Sequence, residues 1–305
     1  MSRLGGRCLG AAAGLFIDRL VGEPAPDVHP VARFGQIMER VEHTLWADRR
    51  LRGAAYAAVG VAIGAVGGRM LRSTASAVAV ATAGRELRRT ALSIGEAISV
   101  GDLPAARAAL PSLVGRDPAE LDESGIAAAV IESVAENSVD AVIAPAFWGA
   151  VAGAPGAAAY RAINTMDAMV GRRNERYRNF GWAAARLDDA ANYIPARIFA
   201  ALVAVLYQER ARQIAKAVRQ DAPSHPSPNA GVAEAAMAAV LGRRLGGPLD
   251  YEGVVENRPF LGTGSRPEPD DIEAAVRHAN RVEIASIGLL VLTWLIDRLL
   301  DQNEG

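Results

Sequence analysis

Arginines, carboxylates and asparagines are concentrated in one stretch of the sequence, Tyr160 to Arg197. It contains seven arginines and four acids, with asparagines interleaved among apolar residues. Arginine binds phosphate and carboxylate groups through two parallel hydrogen bonds. Carboxylate and amide oxygens suit Mg²⁺, which often binds to proteins together with substrate phosphates. The stretch therefore predicts a site for a metal-bound phosphate compound, and the alternative is a loop of solvated ion pairs beside a membrane.

Two helices separated by a basic loop are expected to carry these side chains. The loop is predicted at 172–178, and the second helix is predicted to begin at Trp182. Its end is placed at Ile194, because a residue that precedes proline disfavours the α conformation. The first helix would align four residues roughly along one stripe: Arg161, Asn164, Asp167 and Gly171.

A second polar group precedes this stretch. Glu132, Glu136 and Asp140 recur every four residues, which predicts one acidic helix face with Asn137 beside it. Three acids in an apolar helix are costly unless they are paired or bind a cation. The following residues, 141–160, are uncharged. The acidic face is therefore expected at the mouth of a membrane segment.

Two Pro-rich loops supply further candidates. His29 lies in the first loop, where it could bind a ligand or only cap a turn. The second loop carries Ser227 and Asn229 just ahead of a predicted helix. Free N–H groups and the helix dipole at such a helix start favour a bound anion.

Composition predicts an all-α, polytopic integral membrane protein. Half of the 305 residues are hydrophobic, and uncharged runs recur along the chain. Since about 20 apolar residues cross a bilayer, we expect roughly four or five membrane helices, including one at 283–300. A buried soluble helix pair is the alternative for the runs at 53–68 and 73–84. The whole chain is expected to form one domain, 1–305, with a polar helical insertion at about 85–125.

Charge and rare residues exclude several classes of function. The net charge of −1 argues against a nucleic-acid partner. Cys8 is the single cysteine, so an intramolecular disulfide and a cysteine-based metal site are excluded. Lys216 is the single lysine and lacks a glycine-rich context, which excludes a P-loop. The positive-inside rule predicts that the basic loop, and with it a polar active-site face, lies on the cytoplasmic side of the cell membrane.

Several long motifs resemble the CobD/CbiB family of adenosylcobinamide-phosphate synthases. The resemblance covers most of the chain and is weaker at 85–125 and at the C-terminus. Its motifs are GEP…HPV..G at 22–35, ENSVD…AP.FW at 136–148, the continuous stretch 153–197, SPNAG..EAAMA at 227–238 and LGG…Y.G at 245–253.

This resemblance implies an ATP-dependent amide ligation in cobalamin biosynthesis. The carboxylate of adenosylcobyric acid, a corrinoid, would be joined to (R)-1-amino-2-propanol O-phosphate or to ethanolamine phosphate. ATP with Mg²⁺ would activate the carboxylate, which needs oxygen ligands for the metal and arginines for the phosphoryl charge. Membrane lipid is an implied partner, and other cobalamin-assembly membrane enzymes are further possible partners.

Chemistry on the matched positions assigns roles to individual residues. Three residues are predicted to be catalytic: Asp167, Arg161 and Arg186. The predicted Mg²⁺ ligands are Glu136, Asp140, Asp167 and Asp189. The predicted substrate- and phosphate-binding residues are His29, Asn137, Asn164, Arg176, Arg197, Ser227 and Asn229.

Three alternatives remain open from the sequence. A related branch, the AmpE-like membrane proteins, would use the polar motifs to sense a ligand without turnover. A membrane phospho-alcohol transferase would need a spaced series of aspartates, of which 186–189 is only a fragment. At the level of single residues, the acids and arginines could simply pair with each other to bury a polar seam.

Overall fold

The computed structural model describes residues 2–24, 29–115, 117–172, 174–251 and 254–303, with side chains left out at 248–257 and 303. In these ranges the chain forms twelve α-helices and one antiparallel hairpin, which confirms the predicted all-α class. The helices are α1 Arg3–Val21, α2 Pro30–Leu45, α3 Arg50–Leu71, α4 Thr74–Ala81, α5 Gly84–Ser99, α6 Leu103–Ala109, α7 Glu123–Ser138, α8 Ala144–Val170, α9 Trp182–Leu206, α10 Ala211–Gln220, α11 Ala230–Leu241 and α12 Asp270–Asn303; the strands are β1 Leu245–Tyr251 and β2 Val254–Leu261.

Three helical runs in the described residues are long and apolar enough to cross a membrane. They are Arg50–Leu71, the continuous run Glu123–Val170, and Trp182–Leu206. This supports a membrane protein, with fewer such runs than the four or five expected. The uncharged run at 73–84 forms only α4, whose eight residues span about 12 Å. A helix of that length cannot cross a hydrocarbon core of about 30 Å, so the prediction of a membrane helix there is wrong.

The described chain divides into two compact units. The first comprises Met1–Gly84, Asp140–Pro195 and Ser286–Gly305, and the second comprises Arg85–Val139 and Ala196–Ala285. The predicted polar helical insertion at 85–125 falls in the second unit as α5, α6 and the start of α7.

In the first unit, α3 and α8 pack closely because small residues line their contact. A Cβ atom at Gly68 would lie 2.4 Å from the main-chain oxygen of Ala154, and one at Gly64 would lie 2.7 Å from the Ala162 Cβ. Glycine and alanine are the residues that allow helices to approach this closely in lipid. The core beside this contact contains five large buried side chains, Met38, Tyr56, Met166, Val170 and Phe180.

In the second unit, α11 is the buried helix. Ten of its twelve residues are buried, and it packs against α7 and α10. A Cβ atom at Gly231 would lie 2.5 Å from the Cβ of His225, so glycine lets the preceding loop close against the helix. The loop residues Ser227 and Asn229 are therefore held at the start of α11.

The predicted end of the second helix at Ile194 is wrong. The helix α9 continues through Pro195 to Leu206. Proline removes the N–H that would normally bond the oxygen of residue 191. In this fold the indole Nε1 of Trp148 donates to the Ala191 oxygen at 3.0 Å, so the lost hydrogen bond is replaced by a tertiary one.

The run from α7 to α8 is interrupted twice. A π-helical turn spans Val139–Ile143, and Gly153 leaves helical geometry with a φ of 70°, which only glycine adopts easily. A π turn inserts extra chain into a helix and is frequent at functional sites. Here it interrupts the single acidic face that the sequence predicts. Asp140 lies in the π turn, whereas Glu132 and Glu136 lie in the regular helix before it.

The basic loop is confirmed where it is described. Helix α8 ends at Val170 and α9 begins at Trp182, with turns between them. Arg173, which belongs to the predicted loop, lies outside the described residues.

Candidate functional site

The side-chain amide of Asn164 is the centre of a polar cluster in the first unit. Its Nδ2 lies 3.2 Å from Asp140 Oδ2 and 3.4 Å from Asp188 Oδ1, and donates to both carboxylates. Its Oδ1 accepts from Arg161 Nη1 at 3.2 Å. One asparagine thus binds two carboxylates and one guanidinium. Asp140 comes from the π turn, Arg161 and Asn164 from α8, and Asp188 from α9.

Asn192 and Tyr160 fix the other side of this cluster. Asn192 is buried, and its Nδ2 donates to Asp188 Oδ2 at 3.0 Å. The hydroxyl of Tyr160 lies 2.8 Å from Asn192 Oδ1 and 3.0 Å from the main-chain oxygen of Asp140. Both oxygens of Asp188 accept a hydrogen bond from an amide, so its orientation is set from two sides. We call Asp140, Asn164, Asp188 and Asn192, with Arg161, the carboxylate cluster.

Arg161 connects this cluster to an apolar cavity. The cavity has a volume of about 310 Å³ and is lined by α2, α3, α4 and α8. Arg161 lies in its wall, and its Nε is buried without a hydrogen-bond partner among the described residues. This Nε–H group can therefore donate a hydrogen bond to an anionic ligand.

His29 serves as the N-cap of α2. Its Nδ1 accepts from the Val31 N–H at 3.2 Å, and Pro30 occupies the first helical position. Burial, and secondarily the charge of Arg161, lowers the pKa of His29. His29 therefore caps a helix start, and its predicted role in binding stays a prediction.

Arg176, predicted to bind phosphate, and Arg186, predicted to be catalytic, are both engaged in ion pairs. Arg176 Nη2 donates to Glu42 Oε1 at 3.0 Å, and its guanidinium stacks over Trp46 at 4.8 Å. Arg186 Nη1 donates to Asp189 Oδ2 at 3.2 Å, and 60% of the Arg186 side chain is exposed. These contacts match the ion-pair alternative, and they do not exclude a ligand that competes for the arginines.

Asp167 lies one turn before the end of α8. Its main-chain oxygen accepts from the Gly171 N–H at 2.7 Å, and its carboxylate lies where a Cβ atom of residue 171 would be. Glycine at 171 therefore makes room for this carboxylate. The predicted catalytic and metal-binding roles of Asp167 stay predictions.

The second unit contains a separate polar cavity of about 200 Å³. Glu136 and Ser227, two predicted site residues, line it together with Glu132 of the predicted acidic face and with three residues that the sequence did not single out: His225, Glu234 and Arg258. Close to this loop, Arg197 Nη1 donates to Asn229 Oδ1 at 2.9 Å. The Nδ2 of Asn137 donates back to the main-chain oxygen of Ser133 at 3.0 Å.

No group of three or more histidine, cysteine or acidic side chains in the described chain is placed to hold a metal ion by itself. The predicted ligands Glu136, Asp140, Asp167 and Asp189 therefore do not form one closed cage there. Mg²⁺ commonly binds through one or two carboxylates, with substrate phosphates and water as the other ligands. Asp140 and Asp188 could supply the two carboxylates of such an open site.

The sequence predicts Asp189 as a metal ligand, whereas the carboxylate cluster contains Asp188, and the sequence assigns no role to Asn192 or Tyr160. One signal was present, since Asp188 and Asn192 are four residues apart and would share a helix face. The arrangement as a whole can bind a cation between two carboxylates and an anion at Arg161.

Comparison with known proteins places the chain in a family. The sequence model of the family described as CobD/Cbib protein matches residues 11–279. A Mycobacterium tuberculosis protein named cobalamin biosynthesis protein CobD is 43% identical over 301 residues, covering 94% of this chain and 95% of that protein.

Two further relatives carry the same name. The Chromobacterium violaceum protein is 44% identical over 284 residues, covering 88% of this chain and 90% of its own length. The Rhodobacter capsulatus protein is 47% identical over 216 residues, covering 70% and 68%. No solved structure matches the chain significantly. The extent of these matches shows that the chain belongs to the CobD/CbiB family.

Proposed function

We propose that this chain is an adenosylcobinamide-phosphate synthase, an ATP-dependent acid–amine ligase. It would join the carboxylate of adenosylcobyric acid to (R)-1-amino-2-propanol O-phosphate or to ethanolamine phosphate. A role in cobalamin biosynthesis follows from the family, whose members named above are cobalamin biosynthesis proteins. The match to these proteins over nearly the whole chain favours this ligase over an AmpE-like sensor.

The observation that supports the reaction most strongly is the carboxylate cluster. Asp140 and Asp188 are bridged by Asn164, which also binds Arg161. Two carboxylates beside a guanidinium offer ligands for Mg²⁺ and a donor for the phosphates that accompany it. ATP would thus be bound without a P-loop, because the single lysine of this chain lacks the glycine-rich context of that motif.

Each residue of the cluster has a distinct task in this proposal. Asp140 and Asp188 would hold the Mg²⁺ that accompanies ATP, and this ion would neutralise phosphate charge while the carboxylate is activated. Asn164 and Asn192 keep the two carboxylates in fixed orientations. Arg161 would donate to the phosphoryl oxygens on which negative charge develops, an effect that is strongest where water is excluded.

The remaining assignments belong to the same proposal. Asp167 and Arg186 are proposed as further catalytic residues near this cluster in sequence. Asp189 and Glu136, which the sequence predicted as metal ligands, lie outside the carboxylate cluster and are not assigned to the ion in this proposal. The protein is proposed to act at the cell membrane with the basic loop and the active-site face in the cytoplasm, where ATP is available. Association with other membrane enzymes of cobalamin assembly is also proposed.

Reconstituted turnover tests the proposal. The full chain, purified in detergent, is supplied with adenosylcobyric acid, the phosphorylated amino alcohol and MgATP, and the products are separated by chromatography. We expect ADP and an amidated corrinoid in equal amounts, with neither formed when any one substrate or Mg²⁺ is omitted. Ligand binding without either product would refute the ligase and support the sensor.

A further inference from the structure

We propose that the polar cavity of the second unit is the binding site for a small zwitterion with an ammonium group and a phosphate. The inference rests on the proposed function, in which a phosphorylated amino alcohol is the substrate of this chemical class. It assigns to this substrate a site distinct from the carboxylate cluster, and it gives Glu132, Glu234, His225 and Arg258 a role in binding.

The size of the cavity restricts its occupant. The cavity has a volume of about 200 Å³. Pockets for drug-sized ligands are about 300 Å³ or larger. The cavity therefore accommodates a phosphorylated amino alcohol, and it is too small for a nucleoside triphosphate or a corrinoid.

Three carboxylates in the cavity wall favour a cationic group. Glu132 and Glu136 are one turn apart on α7, and Glu234 is on α11. The side chains of Glu132 and Glu234 are almost fully buried, and the Glu132 carboxylate is oriented by the main-chain N–H of Gly246 at 2.8 Å. Carboxylates held rigidly at a cavity are suited to an ammonium group, whose three donors need acceptors.

Donors on the same wall favour an anionic group. Ser227 Oγ accepts from the N–H groups of Asn229 and Ala230, at 3.3 and 3.1 Å, and its own proton remains to be donated. His225 Nδ1 lies 3.1 Å from both the N–H nitrogen and the main-chain oxygen of Ser227; in the tautomer in which Nδ1 accepts from the N–H, the proton is on Nε2. With the guanidinium of Arg258, these groups provide three donors for phosphate oxygens.

The two charge types occur close together, which selects a compact ligand that carries both. His225 Nε2 lies 3.7 Å from Glu234 Oε2, and both side chains are at most 4% exposed. A donor for phosphate and an acceptor for ammonium thus lie side by side. A simple anion would face the carboxylates, and a simple amine would face Arg258, so each would bind less well than the zwitterion.

Binding to the full chain in detergent, without ATP or corrinoid, tests the assignment by isothermal titration calorimetry. The ligands are aminopropanol phosphate, aminopropanol and inorganic phosphate, each alone. We expect the phosphorylated amine to bind the unmodified chain at least about tenfold more tightly than the other two. Glu234→Gln should weaken it about tenfold or more and should not weaken inorganic phosphate, because the change removes a negative charge that repels the anion, whereas Arg258→Gln should weaken both.

A surface change and a matched control keep the test decisive if the buried variants fail to fold. Glu136 is exposed, so Glu136→Gln should fold and weaken the phosphorylated amine at least about threefold. Glu209→Gln, an exposed carboxylate outside the cavity, should leave the affinity unchanged.

The site assignment and the proposed reaction can fail separately. In turnover assays, the cavity variants should raise the KM for the phosphorylated amine and leave the KM for ATP within about twofold. Folded cavity variants with unchanged affinity and KM for the amine would overturn the assignment even if the unmodified chain makes the amide. An unmodified chain that binds the zwitterion as expected but forms no amide would uphold the site and refute the reaction.

Discussion

Replacing Asp188 by asparagine tests whether the carboxylate cluster is a metal site or a buried polar seam. The side chain keeps its size, but one carboxylate oxygen becomes an NH₂ group. Asp188 Oδ1 accepts from Asn164 at 3.4 Å and Oδ2 accepts from Asn192 at 3.0 Å. An asparagine at 188 can accept only one of these bonds, and it no longer provides a negative charge.

The two interpretations predict effects of different kinds. Loss of one hydrogen bond to a charged group lowers the free energy of unfolding by about 1.5–3 kcal/mol, and both interpretations share this cost. If Asp188 also holds Mg²⁺, removing its charge should lower turnover by a further factor of at least about 100, as expected for an electrostatic group at a reacting centre. The Mg²⁺ concentration needed for half-maximal rate should rise as well.

The assay measures melting temperature and Mg²⁺-dependent ADP release on the same detergent-solubilised samples. Asp189→Asn is the matched control, since it changes the adjacent residue in the same way. Asp189 pairs with an exposed Arg186, and such surface pairs contribute about 0–1 kcal/mol. We expect its turnover to change less than about threefold.

Two outcomes would contradict this reasoning. If folded Asp188→Asn retains near-normal turnover and Mg²⁺ dependence with a lower melting temperature, the cluster is a structural seam. If Asp189→Asn loses turnover about a hundredfold while Asp188→Asn does not, the metal ligand is the aspartate that the sequence indicated, and the inference from the hydrogen-bond geometry is wrong.

Four further predictions concern stability and topology. Arg176→Ala removes one partner of the buried Glu42 carboxylate and should lower the free energy of unfolding by about 1–3 kcal/mol, with turnover within about threefold; a hundredfold loss of turnover would instead support phosphate binding. Burial and the nearby arginines lower the pKa of His278 to about 4, so stability should fall from about pH 6.5 towards pH 4 because the unfolded histidine takes up the proton first. Thermal melts should show a shallower fall for His278→Gln, and an equal fall would contradict the assignment. A cysteine at Asn174 should resist an impermeant thiol reagent in intact cells, and the protein should leave membranes only with detergent; labelling, or release by carbonate, would contradict these two expectations.

The sequence by itself determined the helical class, the membrane character and the basic loop at 172–178. These features depend on local patterns, namely the length of uncharged runs and the periodicity of apolar residues. The sequence also indicated Arg161, Asn164 and Asp140, since polar groups at helical spacing in an apolar segment are costly without a partner. The family resemblance was likewise readable from its long motifs, and the family match confirmed it.

Only the tertiary structure decided which of two adjacent aspartates joins the cluster. Residues 188 and 189 differ by about 100° around a helix, and the choice between them depends on how α9 faces α8. The continuation of α9 past Pro195 depended on Trp148, which is 43 positions from the Ala191 oxygen that it satisfies. The separation of Asp140 from Glu136 depended on a π turn, which the regular four-residue spacing of the acids does not reveal. The first two outcomes depend on contacts between residues that are distant in sequence, and the third depends on a departure from regular helical geometry. A local pattern of residue types reveals neither.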